Sequence, residues 1–385
     1  MASRIRLGII GLGRAAGVML PSFAAHPDIE IVAAADPLVA ARERFASVFG
    51  GAVFADARAM IEGAALDAVY IASPHQFHVE HALLAAGAGK HFIIEKPLAL
   101  TLDECDQIVA AARAAGVITL VGHTQGFNPA LRRMRAIIES GELGRLRMMN
   151  NLVYGDFLYR PRRPEELDTR QGGGILYNQV PHQLEMIRVL AREPIRAVRA
   201  TTGIWDAQRP TEGAMTAFVE FDSGVSASLT YSGYDHFDSD ALCGWIGTGG
   251  RLRQAAHGAA RRRLAAAGSG SETAARTARG FTGGGAVQQA PPCQPHFGFL
   301  LVSCERGDMR VSAQGVEIFD DAGVREIVLP PCRVAPDRDL VVDEFVLGVR
   351  TGQAPLQDVA WGRETMRAVL ALLHSGQQRR EIMLK

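Results

Sequence analysis

The sequence predicts an α/β domain with a parallel sheet covered by helices on both faces, joined to an α+β domain with a large, mostly antiparallel open sheet. Three observations predict it. Short continuous apolar runs alternate with helix-length stretches over the first 125 residues. A glycine-bearing turn separates the first run from the first helix. Beyond that region, strand-like runs follow one another across short turns. The length, 385 residues, agrees with two domains at roughly 150 residues each.

Residues 5–10 form a continuous apolar run ending in glycine, as a strand buried on both faces should. Residues 29–35, 68–72, 91–94 and 118–122 repeat that pattern, and stretches 15–25, 40–49, 79–86 and 102–115 are helical. Strands alternating with helices imply right-handed crossovers and a parallel sheet, which binds ligands at the carboxyl ends of its strands. This domain is expected to span 1–125 and the second 126–385. In the second, residues 147–154, 215–221, 225–231, 244–247, 310–312, 316–319 and 324–329 read as strands. Asp222-Ser223-Gly224 and Asp320-Asp321-Ala322-Gly323 supply hairpin turns. Helices are expected from near Pro181, over 340–350 and over 359–375. Residues 249–295, with Arg261-Arg262-Arg263 and Gly283-Gly284-Gly285, read as a long mobile excursion, with a lid or basic tether as the functional alternative.

Forty-one basic and forty-one acidic side chains cancel. The balance argues against a nucleic-acid or membrane-surface partner, each of which needs a basic excess. No apolar run approaches the length of a membrane span. The five cysteines contain no C-x-x-C pair, so a reducing cytoplasm is the expectation rather than a disulfide scaffold or cysteine-only metal site.

Gly11-Leu12-Gly13-Arg14-Ala15-Ala16 follows the first strand and opens the first helix in the form G-x-G-x-x-A. Gly11 permits the tight turn, Gly13 lets a pyrophosphate approach the backbone, and Ala16 lets the helix pack on the sheet. The helix N-terminus then presents unpaired N–H groups to phosphates. The second strand ends at Asp36, about twenty residues on, where a carboxylate accepts from ribose hydroxyls and repels a 2′-phosphate. That favours NAD over NADP. His75, His78 and His81 recur every three residues, but on a helix they spread over about a third of the circumference, so no metal is assigned.

The turn, Ser73-Pro74-His75-Gln76-Phe77-His78, Glu95-Lys96-Pro97 and Gly172-Gly173-Gly174-Ile175-Leu176-Tyr177-Asn178-Gln179-Val180-Pro181-His182 together resemble the glucose–fructose oxidoreductase / inositol dehydrogenase / MocA family, across nearly the whole chain. The resemblance implies a Rossmann domain, an open-sheet domain that often forms oligomer interfaces (here a dimer or tetramer), and oxidation or reduction of a secondary alcohol by a nicotinamide. It places His78 beside the nicotinamide, with Ser73 and Pro74 in the cofactor site, and implies a cis bond before Pro97. Lys96 would donate a charged hydrogen bond to the substrate hydroxyl, and Glu95 would orient it or hold the nicotinamide ribose. His182 is the candidate general base, with Glu185 one helical turn on. The family's usual aspartates are replaced here by Asn178 and Glu185. Asn178 hydrogen-bonds but holds no negative charge beside the imidazole. His123 reads equally as a substrate contact and as a polar strand end.

Residues 159–168 carry Arg160, Arg162 and Arg163 between prolines, suited to an anionic substrate through guanidinium–carboxylate pairs, or else to a solvated loop neutralised by Glu165, Glu166 and Asp168. This stretch and Tyr231-Ser232-Gly233-Tyr234-Asp235 most resemble the phthalate cis-4,5-dihydrodiol dehydrogenase branch. The expected substrate is thus a small cyclic polyol, sugar or aromatic cis-dihydrodiol. Two other readings use the same residues: NAD-assisted glycoside cleavage, and a dinucleotide-binding regulator without turnover.

Overall fold

In the computed structural model of the chain, residues 3–384 are described apart from 268–271, 273–274, 277–280 and 282–289. The chain divides into two compact units. The first contains Met1–His123 and Arg333–Met366; the second contains Thr124–Thr273, Ala290–Cys332 and Arg367–Lys385.

In the first unit, strands β1 (Ile5–Ile10), β2 (Ile29–Ala35), β3 (Ala52–Phe54), β4 (Ala68–Ile71), β5 (His91–Ile94) and β6 (Thr119–Val121) form one sheet in the order β3-β2-β1-β4-β5-β6. Every pair is parallel. Helices α1 (Arg14–Ala25), α2 (Val39–Phe49), α3 (Ala57–Gly63), α4 (His78–Gly87) and α5 (Leu102–Ala115) make the connections. Leu7, Ile9, Phe92 and Ile93 are fully buried, because a sheet covered on both faces has no solvent side. The strand order reverses between β1 and β4, which marks the ligand crevice of such sheets.

The second unit is built on a nine-stranded sheet in the order β14-β13-β12-β11-β7-β10-β9-β8-β15. Its strands are β7 (Leu146–Tyr154), β8 (Ile195–Gly203), β9 (Ala214–Phe221), β10 (Ser226–Ser232), β11 (Phe299–Cys304), β12 (Gly307–Val311), β13 (Gly315–Asp320), β14 (Gly323–Val328) and β15 (Ile382–Met383). Only β7 and β10 pair in parallel. Helices α6 (Pro129–Ser140), α7 (Gly174–Asn178) and α8 (Val180–Ala191) precede β8, and Met149, Val219, Leu229 and Ile318 are buried in the sheet.

Three expectations are corrected here. Residues 333–366 belong with the first unit rather than with 126–385. Helix α10 (Pro336–Thr351) is tied to α1 where the Ser22 hydroxyl donates to Asp339 (2.8 Å), and Val121 N–H bonds the Gln357 carbonyl (2.8 Å). The expected strand over 244–247 reduces to a single bridge between Ile246 and Leu252. Within the excursion, helix α9 (Ala259–Ala267) carries the arginine triplet; the glycine triplet lies outside the described residues.

Candidate active site

The phosphate turn is built as its sequence requires. Gly11 has φ +88°, and a Cβ there would stand 2.8 Å from the Ala72 carbonyl oxygen, so only glycine fits. Gly13 is the N-cap of α1, and a Cβ there would meet nothing within 4 Å among the described residues. Its backbone is therefore open to a close-packed ligand. Arg14 is exposed, Ala15 is half-buried, and Ala16 is fully buried under the helix. Asp36 closes the crevice. One carboxylate oxygen accepts the Leu12 N–H at 2.7 Å and the other the Leu38 N–H at 2.8 Å. The residue expected to read the ribose thus also fixes the turn that would hold the pyrophosphate. These features fit a dinucleotide. Asp36→Asn keeps one of the two bonds, since its amide has a single acceptor oxygen, and removes the charge; it is expected to narrow the NAD-over-NADP preference in kcat/KM by about tenfold, and an unchanged ratio would remove Asp36 from that role.

The next two loops are cross-linked. His78 is buried, with Nδ1 2.9 Å from the Pro97 carbonyl and Nε2 3.1 Å from the Ser73 carbonyl. The ring lies between the Ser73-Pro74 turn and the segment after Lys96, whose peptide bond to Pro97 is cis, and in its neutral form its single N–H serves one of the two carbonyls. Ser73 Oγ lies 2.9 Å from His81 Nδ1. His78 and His81 therefore engage different partners, and among the described residues no group of three His, Cys, Asp or Glu is placed to hold a metal. Burial pulls the His78 pKa from 6.5 to about 4. The unfolded chain then takes up this proton first, so stability falls as pH drops from about 6.5 and levels off below about 4. Wild type should lose on the order of 3 kcal/mol more between pH 7 and pH 4 than His78→Gln. Urea unfolding at the two pH values checks this, and equal losses would refute it.

Glu95 and Lys96 follow β5 at the ligand edge. Burial raises the Glu95 pKa, offset by a hydrogen bond from Tyr70 and the charge of Lys96. His123, just beyond β6, is fully buried.

In the second unit, α7 and α8 carry the other candidates. Gly172 and Gly174 have φ of +78° and +76°. The space beside this glycine run is filled by the chain's own atoms. A Cβ on Gly173 would lie 2.7 Å from the Asp168 nitrogen, and one on Gly174 would lie 2.3 Å from Thr211 Oγ1. Asn178 staples the run, its Nδ2 donating to the carbonyls of Gly172 (2.9 Å) and Gly174 (2.8 Å). His182 opens α8 half-buried, its ring 5.0 Å from that of Phe297. Glu185 is fully buried one turn on.

The arginine stretch separates into three fates. Arg162 is buried over the Phe157 ring and donates to the Phe157 carbonyl at 2.7 and 3.1 Å. Arg163 pairs with Glu165 (3.1 Å) on its own loop. Arg160 donates from Nε to Asp156 at 2.7 Å and has about a third of its side chain exposed. Burial pushes the Asp156 carboxyl up, but Arg160 outweighs it and holds the pKa below the usual value. Tyr231 lies close enough to feel the Arg160 charge, donates to Gln179 at 3.1 Å and stacks on Phe297 with centroids 6.3 Å apart. His182, Phe297, Tyr231 and Arg160 thus form a chain of neighbours: imidazole, two aromatic faces, cation. Phe297 and Gln179 were not singled out from sequence. Phe297 follows the excursion, where no periodic pattern announces it. Tyr70 was also missed, although a tyrosine inside an aliphatic strand signals a hydroxyl that needs a partner.

A parallel sheet with this turn and acid defines an NAD-binding oxidoreductase of the Rossmann type. Residues 5–123 match the family model for an oxidoreductase family with an NAD-binding Rossmann fold (GFO_IDH_MocA), and 131–253 match the GFO/IDH/MocA C-terminal domain. The chain belongs to the GFO/IDH/MocA family and is an NAD-dependent dehydrogenase. It is 38% identical over 383 residues to a 1-carboxy-3-chloro-3,4-dihydroxycyclohexa-1,5-diene dehydrogenase of Comamonas testosteroni, covering 97% of this chain and 95% of that one. It is 27% identical to a scyllo-inositol 2-dehydrogenase (NAD(+)) of Bacillus subtilis, over 66% of this chain and 74% of that one. Among solved structures, a putative dehydrogenase from Bordetella bronchiseptica RB50 superposes with TM-score 0.94 at 45% identity, over 99% of this chain and 100% of that one. Levoglucosan dehydrogenase in complex with NADH and levoglucosan shares the fold, with TM-score 0.76 at 17% identity over 99% of each chain.

Proposed function

We propose that this dehydrogenase oxidises a carboxylated cyclic cis-dihydrodiol; its Comamonas relative is named for a carboxylated dihydroxycyclohexadiene. The observation that carries the reading is Arg160, engaged through Nε alone among the described residues, beside Tyr231 and the aromatic face of Phe297. A flat ring with an anionic substituent suits an aromatic wall that ends in a guanidinium.

The Gly11–Gly13 turn and Asp36 would hold NAD, which would supply the hydride acceptor for the carbinol carbon. Lys96 donates a hydrogen bond to the carbinol oxygen and favours its alkoxide character. His182 takes the hydroxyl proton on its imidazole. Asn178 serves by fixing the turn that leads into α8, and Glu95 by holding the Lys96 turn. Loss of hydride and proton leaves a ketone, which tautomerises to a catechol, and aromatisation makes the oxidation effectively one-way. The test is NADH formation with carboxylated cis-dihydrodiols, neutral cis-dihydrodiols and inositols. Preference for an inositol would sink this substrate class.

We also infer a homo-oligomer in the cytoplasm. Met148, Phe218, Val324 and Val328 are exposed, and strand register puts them on one face of the nine-stranded sheet. A sheet face that exposes large apolar side chains among polar ones suits a second copy of the chain. Met148→Glu with Phe218→Glu should give monomers by light scattering; a monomeric wild type would refute the inference. All five cysteines are free thiols, as a reducing compartment permits, and no described helix is long and apolar enough to cross a membrane.

A further inference from the structure

Tyr70 occupies the middle of β4, fully buried, its ring edge-on to Phe23 with centroids 5.1 Å apart. Burial in such a strand needs no hydroxyl; a phenylalanine would pack as well. The hydroxyl nonetheless has one well-formed contact, donating to Glu95 Oε1 at 2.6 Å. Glu95 is the last residue before Lys96, and its N–H is anchored on the Ile71 carbonyl of the same neighbouring strand (2.9 Å). The same oxygen lies close to Gly122, where a Cβ would stand 3.0 Å from Oε1. The charged and titratable groups acting on Glu95 are Tyr70, Lys96, whose main chain also hydrogen-bonds the carboxyl, and Arg338. Burial and the adjacent carboxylate hold the Tyr70 phenol well above its usual pKa, so it stays a donor.

We propose that Tyr70 is a positioning residue for the Lys96 turn: its hydroxyl pins the Glu95 carboxyl in one orientation, and the pinned carboxyl fixes where the Lys96 ammonium is held. This rests on the assignment of Lys96 to the carbinol oxygen. An unpinned carboxylate in a partly buried site would turn toward whichever cation or N–H satisfied it best, and Lys96 would follow.

The chain has three lysines, Lys90, Lys96 and Lys385, which makes the proposal measurable without turnover. Reductive 13C-methylation of the full-length protein gives one signal for each lysine plus one for the terminal amine. In Tyr70→Phe, which keeps the ring packing, the Lys96 signal and its titration should move toward those of Glu95→Gln, while Lys90 and Lys385 stay in place. With NAD and a carboxylated cis-dihydrodiol, Tyr70→Phe should lower kcat about tenfold and change KM less than twofold. The double variant should be no slower than Glu95→Gln alone, since both changes break one chain of contacts. An unmoved Lys96 signal, or kcat losses that multiply in the double variant, would overturn the proposal. A wild type that turns over none of the diols would sink the substrate assignment, while the lysine signals would still decide the role of Tyr70.

Discussion

Lys96→Ala and His182→Ala are each expected to lower kcat for the diol by about 10²–10³-fold or more, while NAD affinity stays within about twofold. Removing a preorganised donor to a developing alkoxide, or a positioned general base, costs factors of this size. The cofactor contacts proposed here lie elsewhere, in the Gly11–Gly13 turn and Asp36. The two losses should differ in kind. With the imidazole gone, solvent hydroxide must take the proton, so His182→Ala should recover rate as pH rises. With the ammonium gone, added methylamine should restore part of the rate in Lys96→Ala. Stopped-flow NADH formation and fluorescence titration of NADH separate chemistry from binding. Wild-type kcat in either variant would strip that residue of its role.

The difference between what was legible in the sequence and what was not follows from how far each feature reaches along the chain. The first unit was legible because its strands are continuous apolar runs and its turn residues are dictated locally: Gly11 must be glycine because of the Ala72 carbonyl, and a six-residue motif records that. The second unit was less so. Strand β8, Ile195–Gly203, was missed because its run of Ile, Arg, Ala, Val, Arg, Ala, Thr and Thr carries no clean alternation; pairing with β9 and β15 decides its conformation. The arginines could not be told apart by spacing. The Arg162 guanidinium is removed from the surface by Phe157, and its main-chain N–H is accepted at 3.0 Å by the Glu272 carboxylate from 110 residues away. Asn178 looked like a weakened catalytic aspartate, yet its amide is used within six residues on carbonyls that no carboxylate could serve as donor.

Arg160→Met is expected to raise KM for a carboxylated cis-dihydrodiol about 10–100-fold, with kcat little changed and a neutral cis-dihydrodiol almost unaffected. Nε is committed to Asp156, which sets the plane of the guanidinium. Among the described residues the two terminal nitrogens have no partner, and these can meet a carboxylate as a fork. A charge-assisted pair of that kind contributes roughly 1.5–3 kcal/mol, which matches the expected loss in binding. Removing the guanidinium also leaves Asp156 uncompensated, so its pKa, now held down by Arg160, should rise under burial. Asp156→Asn with Arg160→Met controls for that charge and should bind the neutral diol as wild type does. Arg162→Met should behave in the opposite way: its guanidinium serves the Phe157 carbonyl and ring, so the loss should appear as a lower Tm with little selectivity between charged and neutral substrates. Steady-state kinetics on the substrate pair therefore tests recognition and folding separately. If Arg160→Met slows both diols equally, the guanidinium supports the loop and the carboxylate is held by some other group.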